Sequence, residues 1–160
     1  MKRPFSYIGR HSQAPQQPND QLVEARLDFR ERMKNIAFGR KAMTEAEAAL
    51  FIRADDRVRE TYVAIMAAVE CFGSVVIEPK KTSIHIVAGS AFAGIHPQKS
   101  KLRINVRADH PIESARVRKV EQVSVRRFHN EIDLMSPDDV DGELVAWLKD
   151  AYALGAGVGA

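Results

Sequence analysis

The chain of 160 residues has a single cysteine, Cys71. That excludes an internal disulfide and any zinc site built on paired cysteines. With no base positioned beside it in the sequence, Cys71 reads as a small packed side chain rather than a nucleophile. No run of about 18 apolar residues occurs, so nothing reads as a membrane span. Met1 to Arg10 carries early basic residues but no apolar segment of the kind that drives secretion. These absences point to a cytoplasmic setting without a membrane partner. There is no Walker loop, no Gly-x-Gly-x-x-Gly and no Gly-x-Ser-x-Gly elbow. The terminal Gly155-Ala-Gly-Val-Gly-Ala follows a helix pattern instead of joining a strand to a helix, so it is not a cofactor loop, and no cofactor is indicated. Aromatic residues are sparse at 7%, which gives little support to base stacking on a sheet.

What is present is an ordinary soluble composition, 45% hydrophobic and 28% charged, long enough for one domain and an extension. The net charge of +3 is unevenly spread. Residues 98–127 hold nine Lys and Arg against three acids, and residues 128–160 hold one against seven. Either the basic segment forms an anion-attracting face, or basic strands and an acidic helix balance each other within the fold.

Residues 1–20, with Pro4, Pro15, Pro18 and three glutamines, read as a disordered basic arm. Residues 21–42 read as a helical extension. Its apolar positions Leu22, Ala25, Phe29, Met33 and Ile36 make an amphipathic helix over 21–38 that packs on its own domain or on a twin subunit as a homodimer. Residues 43–155 read as one α+β domain, followed by a frayed tail at 156–160 that begins to loosen at Gly155. Thr44 and Glu47 form a capping-box pattern for a short helix. Asp55 and Asp56 open a second helix whose stripe is Val58, Tyr62, Ile65, Val69 and Phe72. Gly73 ends it. Strands follow at 75–77, 82–87, 91–96 and 101–107, and then at 120–125 with 128–134 as a further strand or its continuation. Gly94 marks a bulge or a close approach. Leu102, Ile104 and Val106 alternate with Arg103, Asn105 and Arg107, the mark of a half-buried strand. Ser136-Pro-Asp-Asp starts a closing helix with Val140, Leu144, Trp147, Leu148 and Ala151 on its apolar face. The expected fold is α+β: an antiparallel sheet of about five strands in a meander, flanked on one face by an N-terminal and a C-terminal helix, with an extra N-terminal amphipathic helix.

The run from Leu50 to Tyr152 resembles the bacterial domain of unknown function DUF5655. The resemblance rests on Phe51-Ile-Arg-Ala-Asp-Asp-Arg-Val, Gly73-Ser-Val-Val-Ile-Glu-Pro, Lys81-Thr-Ser-Ile-His-Ile, Phe92-Ala-Gly-Ile-His-Pro, and Ser136-Pro-Asp-Asp-Val-Asp followed by Trp147-Leu148 and Ala151-Tyr152. It supports the fold and the cytoplasmic setting and implies no particular activity. Some relatives carry a cysteine-bearing, zinc-knuckle-like segment ahead of the domain. The first fifty residues here contain no cysteine, so no metal role carries over.

The polar residues worth weighing fall in and after residues 73–97. His85 and His96 sit on neighbouring strands, but two histidines without a carboxylate in the same pattern are a weak metal signal, and no metal is expected. A coherent cationic set is Lys80, Lys81, Thr82, His85, Arg103 and Arg107, on one sheet face and its rim. It reads as a surface for an anionic small molecule or a macromolecular partner; the competing reading is a plain solvated face. An alternative is a nucleic-acid-associated role through the basic arm and residues 98–127. An enzyme using His85 and His96, with Lys81, is the third reading. No catalytic residue is assigned, and the expected function is non-catalytic.

Overall fold

The computed structural model describes residues 43–158. The expected basic arm, the helix at 21–38 and the last two residues lie outside the described residues. Helix α1 (Glu45–Leu50) and helix α2 (Asp56–Glu70) come first. Strands β1 (Val76–Pro79), β2 (Ile84–Ala88), β3 (Ser90–Pro97), β4 (Leu102–Ala108), β5 (Val117–Ser124) and β6 (Arg127–Leu134) follow. A 3-10 turn (Pro137–Asp139) leads into helix α3 (Gly142–Ala156). No helix among the described residues is long and apolar enough to cross a membrane.

The six strands form one antiparallel sheet in the order β1-β2-β3-β4-β6-β5. The meander expected from sequence holds through β4. Among the described residues six strands are present rather than about five, and β6 lies between β4 and β5. The segment before β5 is anchored away from β4. Asn130, fully buried on β6, accepts from Ile112 N at 2.9 Å and donates to Val106 O at 3.3 Å. Arg116 donates to Asp141 (2.8 Å), Glu143 (3.0 Å) and the Asp139 carbonyl (2.6 Å), and its guanidinium lies over Trp147. A buried polar side chain is tolerated when its donors and acceptors are matched, and Asn130 is matched on both. The loop 109–116 thus carries the chain outward, and the hairpin returns β6 to pair with β4.

Alternation then sets the layers. Leu102, Ile104, Val106, Ile132, Leu134, Ile84, Ile86 and Ile95 are all buried on one face. That face meets α2 through Val58, Tyr62, Ile65 and Val69, and α3 through Leu144, Leu148 and Ala151. Both helices therefore cover the same side of the sheet, as alternation predicts. Helix α1 is fixed to α2 through its capping box. Glu47 accepts from Thr44 N (2.8 Å) and Thr44 Oγ1 (2.9 Å), and the buried Tyr62 hydroxyl donates to its other oxygen.

Local readings differ from the structure in four places. Ser136 caps a 3-10 turn instead of the helix. Its capping box with Asp139 closes there, and Asp141 caps α3 by accepting from Leu144 N at 3.1 Å. The bulge falls between Ile86 and Val87 opposite Phe92, not at Gly94. Turning Phe92 into the core against Tyr152 is what the extra residue achieves. Cys71 is exposed at the end of α2, with Sγ 3.3 Å from the Ala67 carbonyl. Finally, Gly155 does not begin a loose tail. Helix α3 runs on to Ala156, and Gly157 ends it with φ 70°.

Gly155 is buried because the helix presses onto the β2–β3 hairpin. A Cβ there would stand 3.0 Å from Phe92 Cβ and Ser90 O and 3.1 Å from Ala88 O. Gly155→Ala is expected to destabilise the domain by about 1–3 kcal/mol through overpacking. Gly142→Ala, which meets nothing within 4 Å, should change stability by less than about 1 kcal/mol. Urea unfolding of the two variants checks this; equal effects would show that the helix–hairpin contact is not tight.

Candidate functional site: a cationic hollow on the open sheet face

The face of the sheet turned from the helices carries the polar half of each alternation. Register places Glu78, His85, Gly94, Asn105, Glu131 and Lys119 in one row across all six strands. A second row joins His96, Arg103 and Asp133. Arg107 lies opposite His129, with Arg127 two residues from His129 on the same side of β6.

Gly94 leaves this face without a side chain at its middle. A Cβ on it would lie 3.7 Å from His96 Nε2, 3.8 Å from Asn105 Cβ and 4.0 Å from His85 Cδ2. The result is a hollow of about 210 Å³, with His85, His96, Asn105, Arg107, Arg127 and His129 as its polar lining and Ala91 to Gly94 as its floor.

The electrostatics divide the face in two. On one side, Asp133 gathers the cations. It accepts from Lys101 Nζ at 2.8 Å and Arg103 Nε at 2.8 Å, with Arg118 3.9 Å away. The hydrogen bond from Arg103, aided by Lys101, holds the Asp133 carboxyl at about 2, against an ordinary 3.8. On the other side Arg107 and Arg127 lie near one another. No carboxylate forms an ion pair with either among the described residues. Arg107 donates to an uncharged partner, Ser90 Oγ, at 2.7 Å. The Nε atoms of both arginines and Oδ1 of Asn105 are buried without a hydrogen-bond partner. Burial lowers the Arg107 pKa, and Arg127 lowers it further. Burial also holds His96 below the ordinary imidazole value, with His85 and Arg103 adding to the effect and Glu131 opposing it. His129 is lowered by burial and then by Arg127, against Glu121. Both imidazoles are therefore neutral at pH 7, while the arginines stay charged.

The residues singled out from sequence separate on this surface. His85 and Arg107 line the hollow. Arg103 is on the same face but is occupied by Asp133. Lys80, Lys81 and Thr82 are exposed in the β1–β2 turn, where Lys80 pairs with Glu78 at 2.8 Å. His96 joins His85 beside Gly94, as neighbouring strands allow. Arg127, His129 and Asn105 were not singled out. Arg127 and His129 share the parity of Glu131 and Asp133, opposite Ile132 and Leu134, but only the β4–β6 pairing brings them to Arg107. Among the described residues no group of three or more His, Cys, Asp or Glu is arranged to hold a metal ion.

The Asp133 cluster has a pH signature. A carboxylate depressed from 3.8 to about 2 contributes stability above pH 3.8 that is lost as pH falls towards 2. A depression of that size corresponds to roughly 2 kcal/mol. Asp133→Asn should lower stability at neutral pH by about that amount and flatten the acid limb of a stability–pH curve. An unchanged acid limb would remove the cluster's structural role.

No curated protein and no solved structure matches the chain. The family model described as "Domain of unknown function (DUF5655)" matches residues 47–155, which span α1 to the last turn of α3 and so contain the whole sheet and its hollow. The chain belongs to the DUF5655 family.

Proposed function

We propose that the protein is a non-catalytic module of the bacterial cytoplasm that binds a small anionic ligand in the hollow over Gly94. The observation that carries this reading is the pair Arg107 and Arg127. Both Nε donors are buried and unpartnered, and no carboxylate among the described residues pairs with them. An uncompensated buried donor on a cation costs free energy that a bound anion would return. The hollow's small size suits a ligand of metabolite dimensions rather than a peptide or an extended chain. His85, one of the residues expected from sequence, contributes to the wall, while Arg103, Lys80, Lys81 and Thr82 form the outer rim of the same charged face.

Nucleic-acid binding through residues 98–127 draws less support. Four of that segment's nine cations, Lys101, Arg103, Arg116 and Arg118, lie within 4 Å of carboxylates. The enzyme reading has His85 and His96 side by side, but among the described residues the lining of their hollow holds no Ser, Thr, Cys or Lys for them to activate.

Sulfate is a suitable probe, since its charge is constant between about pH 5 and 8. Its addition should raise Tm through specific binding on top of its general stabilising effect. Arg127→Gln should weaken binding about tenfold, the worth of one charge-assisted hydrogen bond. Gly94→Val, which suits a strand and fills the hollow, should abolish it with the fold intact. Because an anion stabilises protonated imidazoles, affinity should rise as pH falls through the lowered pKa values of His96 and His129. If both variants bind sulfate like the parent chain in calorimetry, the hollow is not the site.

A further inference from the structure

We infer that the ligand of the hollow carries a terminal phosphate, a phosphomonoester dianion, and is not a phosphodiester strand. This rests on the reading of the hollow as an anion site and specifies its chemistry. Three features lead to it.

The first is charge. Arg107 and Arg127 face one small space, and no carboxylate among the described residues pairs with either. Burial, and then the neighbouring Arg127, lower the Arg107 pKa. A monoanion offsets one guanidinium and leaves the second. A dianion with three oxygens offsets both and accepts from both forks.

The second is the arrangement of acids around the hollow. Glu78, Glu131 and Glu121 stand on the same open face by register, on β1, β6 and β5. Asp133 closes the next row. A nucleic-acid backbone needs cations repeated along a track. Here the cations nearest the hollow are occupied, Arg103 and Lys101 by Asp133 and Lys80 by Glu78, and Lys119 on the outer strand is separated from the hollow by Glu131. A chain of phosphates leaving the hollow in either direction across the strands would meet carboxylates. A compact dianion would not.

The third is the rest of the lining. Neutral His96 and His129 and the unpartnered Asn105 Oδ1 offer hydrogen-bond partners without charge. Such groups suit hydroxyls on the organic part of a small phosphate ester. With Gly94 and Ala93 as the floor, about 210 Å³ accommodates roughly a dozen heavy atoms.

The test is calorimetric titration of the full chain with methyl phosphate and with dimethyl phosphate at about pH 8, where the monoester is dianionic. Methyl phosphate is expected to bind at least tenfold more tightly. Arg127→Gln and Arg107→Gln should each remove that preference, and Lys119→Gln, on the outer strand, should leave it in place. Arg107 also holds Ser90, so Arg127→Gln, whose guanidinium has no hydrogen bond to lose among the described residues, is the decisive variant if Arg107→Gln unfolds. Equal affinity for the two esters, or tighter binding of the diester, overturns the phosphomonoester assignment while leaving an anion site. If neither ester nor sulfate binds, the reading of the hollow itself fails. Loss of the preference in Lys119→Gln would also overturn the assignment, because the selectivity would then reside outside the hollow.

Discussion

Both long helices cover one face of the sheet, and among the described residues no helix covers the other. That asymmetry governs the rest of the molecule. The covered face is a nearly continuous aliphatic layer, from Ile84 and Ile86 across to Ile132 and Leu134, closed by Tyr62, Ile65, Leu144 and Leu148. Burying each such side chain contributes about 1.5–3 kcal/mol. The pleat then forces every intervening residue outward. The open face is polar because the strands alternate, and its charges must be balanced by one another, by water or by a ligand.

Most of that balance is internal. Asp133 serves Lys101 and Arg103, and Glu78 serves Lys80. The exposed Lys80–Glu78 pair contributes little stability and the half-buried Asp133 cluster more, but both cancel the field locally. The contrast with Arg107 and Arg127 is what makes the hollow distinctive. Two partly buried cations stand beside three imidazoles, and no carboxylate among the described residues is paired to them. The glycine between the histidines gives the space a floor of backbone rather than side chain.

Among the described residues, the buried side-chain polar atoms elsewhere have hydrogen-bond partners, and several have structural work. Asn130 joins β4, β6 and the 109–116 loop. Arg116 ties that loop to the start of α3. Glu47 couples the α1 cap to Tyr62 in α2. Each of these sits on the covered side or its border, where an unmatched group would be costly. The unmatched atoms, Asn105 Oδ1 and the Nε atoms of Arg107 and Arg127, are all in the hollow.

Local pattern was enough to set the elements and their faces. Alternation in Leu102–Arg107 and the 4-3-4 stripe of α2 are local periodicities, set by backbone geometry, and so they survive into the fold. The capping box at Thr44 and Glu47 and the α+β class were legible for the same reason. His85 and Arg107 were legible as outward-facing polar residues. Which outward residues meet was settled by strand pairing alone. The insertion of β6 between β4 and β5 depends on a loop held by Asn130 and Arg116, over distances that no local pattern encodes. That insertion brings Arg127 and His129 to Arg107, and it gives Arg103 a carboxylate from Asp133. A cation's partner lies across strands, 30 residues away for Arg103 and Asp133. The linear chain therefore marked a charged face, and only the folded sheet distinguished the neutralised part of it from the part left open.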